Sequence, residues 1–169
     1  IDFPDKPNPK LTGPREWLLR AESNWSRLIK SEDSEFHPTS GSFDKFGVYF
    51  GDNMQPLMYP NQGVYYVMRT DAVKEISGDF LSMSSPEYTK IWQEIVEEYK
   101  LNPKTISGGY EAGRKIYENY NTYEPVSGIA TVHTSLSILN ADKVIVSEDI
   151  LKNIDQSKIL PELKNKIVP

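Results

Sequence analysis

His133 lies in the strand-like run GIATVHTS, where an imidazole can serve as general acid or base if a pocket opens beside it. Glu124 comes shortly before it and supplies a carboxylate that would complete an acid–base pair. A satisfied structural histidine is the ordinary alternative for His133. For His37, which precedes Pro38 in a polar stretch, the ordinary alternative is a surface position. The chain contains two histidines and no cysteine. Thiol catalysis, disulfides, zinc ribbons, iron–sulfur sites and His-rich metal sites are therefore excluded, and no metal is expected. Arginines, hydroxyls, carboxylates and aromatics must do any remaining chemistry.

The charge balance narrows the substrate. Nineteen basic residues face 24 acidic ones, for a net charge of −5. Binding along a nucleic-acid backbone needs a basic field, so a nucleic-acid partner is not expected. Tyr110, Tyr117 and Tyr120 fall near one helical face, which reads as packing rather than a base-stacking platform. Arg69 and Arg114 are single cations that can meet a phosphate or simply stand on the surface. SGGYEAGRK, residues 107–115, puts two glycines before a helix, a place where an anion can bind, but lacks P-loop spacing. No apolar run reaches the roughly 18 residues of a membrane span, so no membrane is expected.

The elements that must position these groups read as one α+β domain over residues 15–169. Residues 1–14 carry four prolines (Pro4, Pro7, Pro9 and Pro14) and read as an extended arm or linker. With a start at Ile1 rather than Met, they predict the C-terminal part of a larger protein. Trp17, Leu18, Ala21, Trp25, Leu28 and Ile29 recur at helical spacing, which predicts an N-terminal helix from Pro14 to about Lys30. FGVYF (46–50) and GVYYVMRT (63–70) read as strands, with a polar loop before them and a proline-broken connection between.

Tyr88, Ile91, Trp92, Ile95, Val96 and Tyr99 form a full apolar stripe, so 86–100 is an amphipathic helix capped by Ser85, with Pro86 at its first position. A second helix spans about 109–120. Strands follow at 128–134, around Ser137 and Leu139, and at 143–146, and a last helix starts near Ile150. The sum is a central, mostly antiparallel sheet of about five strands with helices.

FHPTSGSFDKFGVYFGDN, with Leu18-Leu19-Arg20-Ala21-Glu22 upstream and Val64-Tyr65-Tyr66-Val67 downstream, resembles the ADP-ribosyltransferase superfamily. The resemblance covers about 50 of the 169 residues. It implies a strand at 18–22 that competes with the helical stripe, and NAD as substrate. It implies that Arg20 grips the diphosphate, where a guanidinium fork fits. Thr39, Ser40 and Ser42 would order the ribose or nicotinamide, and Tyr49 or Phe50 would line the pocket. Glu124, among the late glutamates, would stabilise the oxocarbenium-like sugar, without the usual Gln/Glu-x-Glu context.

SFDKFG followed later by SGGYE also resembles toxin domains that hydrolyse NAD. Both families supply C-terminal toxin domains of larger secreted bacterial proteins. The resemblance thus implies a secreted or delivered toxin or effector, with a protein acceptor and an immunity or inhibitor protein as possible partners. Transfer and hydrolysis remain open at this point. Two other readings stand beside it. One is a non-catalytic binding module using the acidic helix 86–100 and exposed aromatics. The other is a small ribonuclease toxin in which His133 works with a lysine or Arg114.

Overall fold

The computed structural model describes residues 8–23, 25–29, 34–40, 46–53 and 63–168. In chain order the strands are β1 (Trp17–Glu22), β2 (Glu35–Phe36), β3 (Thr39–Ser40), β4 (Phe46–Gly51), β5 (Val64–Arg69) and β6 (Phe80–Ser82), then β7 (Asn121–Glu124), β8 (Ile129–Val132), β9 (Leu136–Ser137), β10 (Lys143–Val146) and β11 (Ile167–Val168). The α-helices are α1 (Thr70–Ser77), α2 (Pro86–Glu98), α3 (Ile106–Asn119), α4 (Glu148–Asn153) and α5 (Pro161–Lys164).

The class is α+β, but the expected architecture is corrected in two respects. The described sheet has nine strands rather than about five, in the order β11-β10-β5-β1-β4-β8-β7-β6, with β3 added on β4. It is mixed rather than mostly antiparallel, because β10–β11 and β6–β7 pair in parallel. A two-stranded ladder, β2–β9, stands apart. The N-terminal helix does not form either. Residues 17–22 make the strand β1, and only Trp25–Leu28 turns, as one 3-10 turn. β1 lies inside the sheet between β5 and β4, and Leu18 and Leu19 are both fully buried. A strand covered on both faces carries apolar residues on both, so its sequence loses the alternation that marks a half-buried strand.

One face of the sheet carries the main core. Leu18, Val48, Phe50, Tyr66, Val132 and Val144 project into it and meet Leu28, Phe36, Leu136, Ile138 and Leu163. Each fully buried leucine there contributes about 1.5–3 kcal/mol. The other face buries Leu19 and Val67 and packs under α3, through Ala112, Ile116 and Tyr117. Three of the helix starts are set by hydroxyl caps. Ser85 accepts from the Tyr88 amide, Thr105 from Gly108, and Ser147 from Ile150. Each cap satisfies an amide that the helix itself cannot. Among the described residues, no helix is long and apolar enough to cross a membrane.

One irregularity in the sheet matters for function. β1 pairs with β5 at six positions and β4 with β8 at four, yet β1 and β4 pair only at Leu19↔Gly51. Beyond that pair the two strands part. The sheet is in effect two half-sheets, β11-β10-β5-β1 and β4-β8-β7-β6, joined at one point.

Candidate functional site

Arg20 stands where β1 and β4 part. Its Nη1 donates a 3.0 Å hydrogen bond to the Tyr49 carbonyl. The guanidinium thus fills a place that a strand amide would take in an unbroken ladder. Its Cζ lies 4.9 Å from the centre of the Phe36 ring, and Arg27 approaches the same ring at 5.3 Å. Tyr66 meets Phe36 edge-on, with ring centres 5.0 Å apart and planes at 79°. Tyr66 is also the direct cross-strand partner of Arg20.

A carboxylate completes the group. Glu22, two residues after Arg20, faces the same side of the sheet because strand side chains alternate. Arg27 Nε bonds Glu22 Oε1 at 2.8 Å, with the side chains 22% and 14% exposed. Arg27 also donates to the Glu35 carbonyl. Three atoms in the cluster are buried without a well-formed hydrogen bond: Arg20 Nε, Glu22 Oε2 and the Tyr66 hydroxyl.

Burial is the leading effect on Arg20 and lowers its proton affinity. Glu22 opposes that, and Arg27 adds to it. Arg20 stays charged at any ordinary pH. Burial, then the charge of Glu22, raises the Tyr66 phenol far above its usual range, so it remains a protonated donor. Two guanidiniums, one carboxylate, a phenol and an aromatic face can seat a phosphate-bearing ligand next to a group that tolerates developing positive charge.

Other expected residues are distributed differently. Tyr49 is half-buried and contributes its carbonyl, as above. Phe50 is 2% exposed and belongs to the core. Thr39 lies on β3 and is exposed; its Cα partner is Gly47. The backbone of Ser40 pairs with Phe46, while its side chain and the whole of Ser42 lie outside the described residues, as do residues 1–7 of the expected arm.

Glu124 is in the row Leu19–Gly51–Ile129–Glu124 across β1, β4, β8 and β7. Residues in one row share a face, so Glu124 faces away from the side that Arg20 occupies, three strands or about 14 Å off. It faces α2 and α3. Its charge helps to raise Tyr88 and Tyr117, both pushed up to about 12 chiefly by burial.

His133 is not paired with Glu124. Its backbone amide and its Nδ1 lie 3.1 and 2.7 Å from Asn121 Oδ1. The Asn121 Nδ2 donates to the Gly78 carbonyl, and Ser77 Oγ donates to Asn121 Oδ1. Oδ1 is therefore an acceptor, so Nδ1 of His133 carries the proton and Nε2 carries the lone pair. Asn121 and Glu124 lie at opposite ends of β7, roughly 10 Å apart and on opposite faces. Arg114 pairs with Glu118 at 2.9 Å on α3. Among the described residues, no three His, Asp or Glu side chains converge on a metal-sized site.

Sequence reasoning singled out Arg20 but not Arg27, Phe36 or Tyr66 as its neighbours. The alternation Arg20–Glu22 in a strand was the available signal for a shared face. The ladder β2–β9, which carries Phe36 over the cluster, is two residues long on each side and leaves no periodic trace. Compared with known proteins, the chain matches no family model, no curated protein and no solved structure.

Proposed function

We propose that the chain is an NAD-consuming toxin or effector domain, acting by ADP-ribosyl transfer or by NAD hydrolysis. The observation that carries this reading is Arg20 in the parting between β1 and β4, bonded to the Tyr49 carbonyl and lying over Phe36. The fork of Arg20 would take the diphosphate, and Arg27 would add a second positive charge. Phe36 offers aromatic surface for the nicotinamide, while Tyr49 contributes its carbonyl, its side chain alternating to the far face of the sheet. Thr39 pairs with Gly47 and so shares the face of Leu19, away from Arg20, which leaves its hydroxyl outside this site. An acidic protein needs few placed cations for a dinucleotide, and the cluster supplies two.

The test is direct. Purified protein is incubated with NAD, and nicotinamide release is followed with and without candidate protein acceptors. Release in water alone assigns hydrolysis; release that depends on an acceptor assigns transfer. The absence of release under both conditions rejects the reading.

One observation favours the alternative of a non-catalytic binding module. No residue of α2 is fully buried, although its stripe is strongly apolar. Its exposed side carries Glu87, Glu94, Glu97 and Glu98. A protein that binds a partner through α2, shows no affinity for NAD and is harmless when expressed would fit that alternative.

A further inference from the structure

We infer that Glu22, rather than Glu124, is the catalytic carboxylate of the Arg20 site, the group that stabilises positive charge on the ribose as nicotinamide leaves. This rests on the NAD-consuming reading above.

Position is the first argument. Glu22 is on the same strand and the same face as Arg20, and its field is the acidic one that acts on Arg20. Glu124 faces the opposite side of the sheet, three strands away, among the tyrosines of α2 and α3. A ligand held by the Arg20 guanidinium would have to pass through the sheet to reach it.

Preorganisation is the second argument. Arg27 holds Oε1 at 2.8 Å, while Oε2 is buried without a well-formed hydrogen bond, approached only weakly by the Tyr66 hydroxyl. A buried carboxylate oxygen so poorly paired is costly unless something supplies a fuller partner. A cationic reacting centre is a partner of the right sign. In a site that excludes water, such a fixed charge needs little reorganisation during the reaction. Tyr66, fully buried beside Glu22, closes off water from below.

The step balances without a further reagent. The bond between the ribose anomeric carbon and the nicotinamide nitrogen breaks, and nicotinamide leaves neutral with the electron pair. The sugar becomes an oxocarbenium ion, whose charge Oε2 of Glu22 faces. Water or an acceptor nucleophile then bonds to the anomeric carbon and loses its proton, which passes to Glu22 or to solvent.

The experiment compares nicotinamide release and NAD affinity, the latter by calorimetric titration, for wild type, Glu22→Gln, Glu22→Asp and Glu124→Gln. The expected result is a loss of roughly a hundredfold or more in kcat for Glu22→Gln. NAD affinity should stay within about threefold, because Arg20 and Arg27 remain. Glu124→Gln should keep its kcat within about threefold of wild type.

Glu22→Asp keeps the charge and the ion pair with Arg27, so it reports on the site if Glu22→Gln does not fold. It should lose rate by shortening the reach of the carboxylate, again with affinity retained. Glu22→Gln or Glu22→Asp at the wild-type rate overturns this inference alone. So does a collapse of the rate in Glu124→Gln. Wild-type protein that releases no nicotinamide overturns the reading of the whole site, and this inference with it.

Discussion

The Tyr123 hydroxyl donates a 2.6 Å hydrogen bond to Asp52, reaching from β7 over β8 to the residue that follows β4. Asp52 is fully buried, and its amide donates to the Gly128 carbonyl at 3.0 Å. The Arg15 amide, just before β1, approaches the same carboxylate oxygen at 3.4 Å. These contacts gather next to Leu19↔Gly51, the one pair that joins the two half-sheets. Tyr123→Phe removes the donor and leaves a buried carboxylate less satisfied. It should cost about 1–3 kcal/mol of stability, read as a lower urea midpoint with an unchanged slope. Asp52→Asn keeps an acceptor for Tyr123 and should cost less. Equal, negligible losses for both would mean that the clasp contributes nothing to the closed end of the sheet.

Arg20 makes a second prediction, one that separates binding from folding. Arg20→Lys keeps a positive charge but loses the planar fork and the stacking on Phe36. Stability should fall by about 1 kcal/mol, the ordinary net value of a hydrogen bond like that to the Tyr49 carbonyl. NAD affinity should fall about tenfold or more, because a point charge does not hold a diphosphate bidentately. Calorimetric titration measures the second quantity and chemical denaturation the first. Full affinity in Arg20→Lys would remove Arg20 from the ligand site.

How far the sequence could foresee this arrangement depends on element length and burial. α2 was legible because Ser85, Pro86 and a long stripe all agree, and the structure starts it at Pro86. β4 and β5 were legible from their aromatic and β-branched residues. β1 was not, because Trp17, Leu18, Ala21, Trp25 and Leu28 satisfy a helical period by chance, while tertiary burial on both faces makes 17–22 a strand. β3 and β11 are two residues each, β6 three and β7 four, too short to carry a period, and these are the further strands missing from the expected sheet. In the candidate site, Arg20 was legible as a type in a run. Its bond to Tyr49 was not, since it depends on where β1 and β4 part. The pairing of Glu124 with His133 fails for a reason of alternation: β7 puts Asn121, to which His133 bonds, and Glu124 at its two ends and on opposite faces.

His133 makes a pH prediction. Burial lowers its proton affinity in the folded protein below the ordinary value of 6.5. Folding therefore favours the neutral form, and the unfolded chain binds the proton more readily. The sign follows: at neutral pH both states are uncharged and folding carries no penalty from this group. As pH falls through 6.5 the unfolded chain takes up the proton first, so stability drops until the folded form also titrates. Thermal midpoints taken from about pH 7.5 down to about pH 5 should fall more for wild type than for His133→Asn, which cannot titrate. Parallel curves for the two proteins would show that His133 contributes no pH dependence.

Two adjacent glycines at the start of α3 make predictions of opposite sign, and propensity alone does not separate them. Replacing a helical glycine by alanine ordinarily stabilises by about 1 kcal/mol. At Gly109 the added methyl would lie 3.6 Å from the Pro103 carbonyl, an ordinary contact, so Gly109→Ala should show most of that gain. At Gly108 it would fall 1.9 Å from the Asn102 carbonyl oxygen and 2.8 Å from Thr105 Oγ1, the atom that caps the helix. Backbone cannot yield as a flexible side chain can. The loop at Asn102 must shift, and the cap bond from the Gly108 amide to Thr105 weakens with it. Overpacking of this kind costs about 1–3 kcal/mol, and a lost cap about 1 kcal/mol more. Gly108→Ala should therefore unfold at lower urea than wild type and Gly109→Ala at higher urea. If both move upward, propensity governs this turn and the close approach to Asn102 is relieved at no cost.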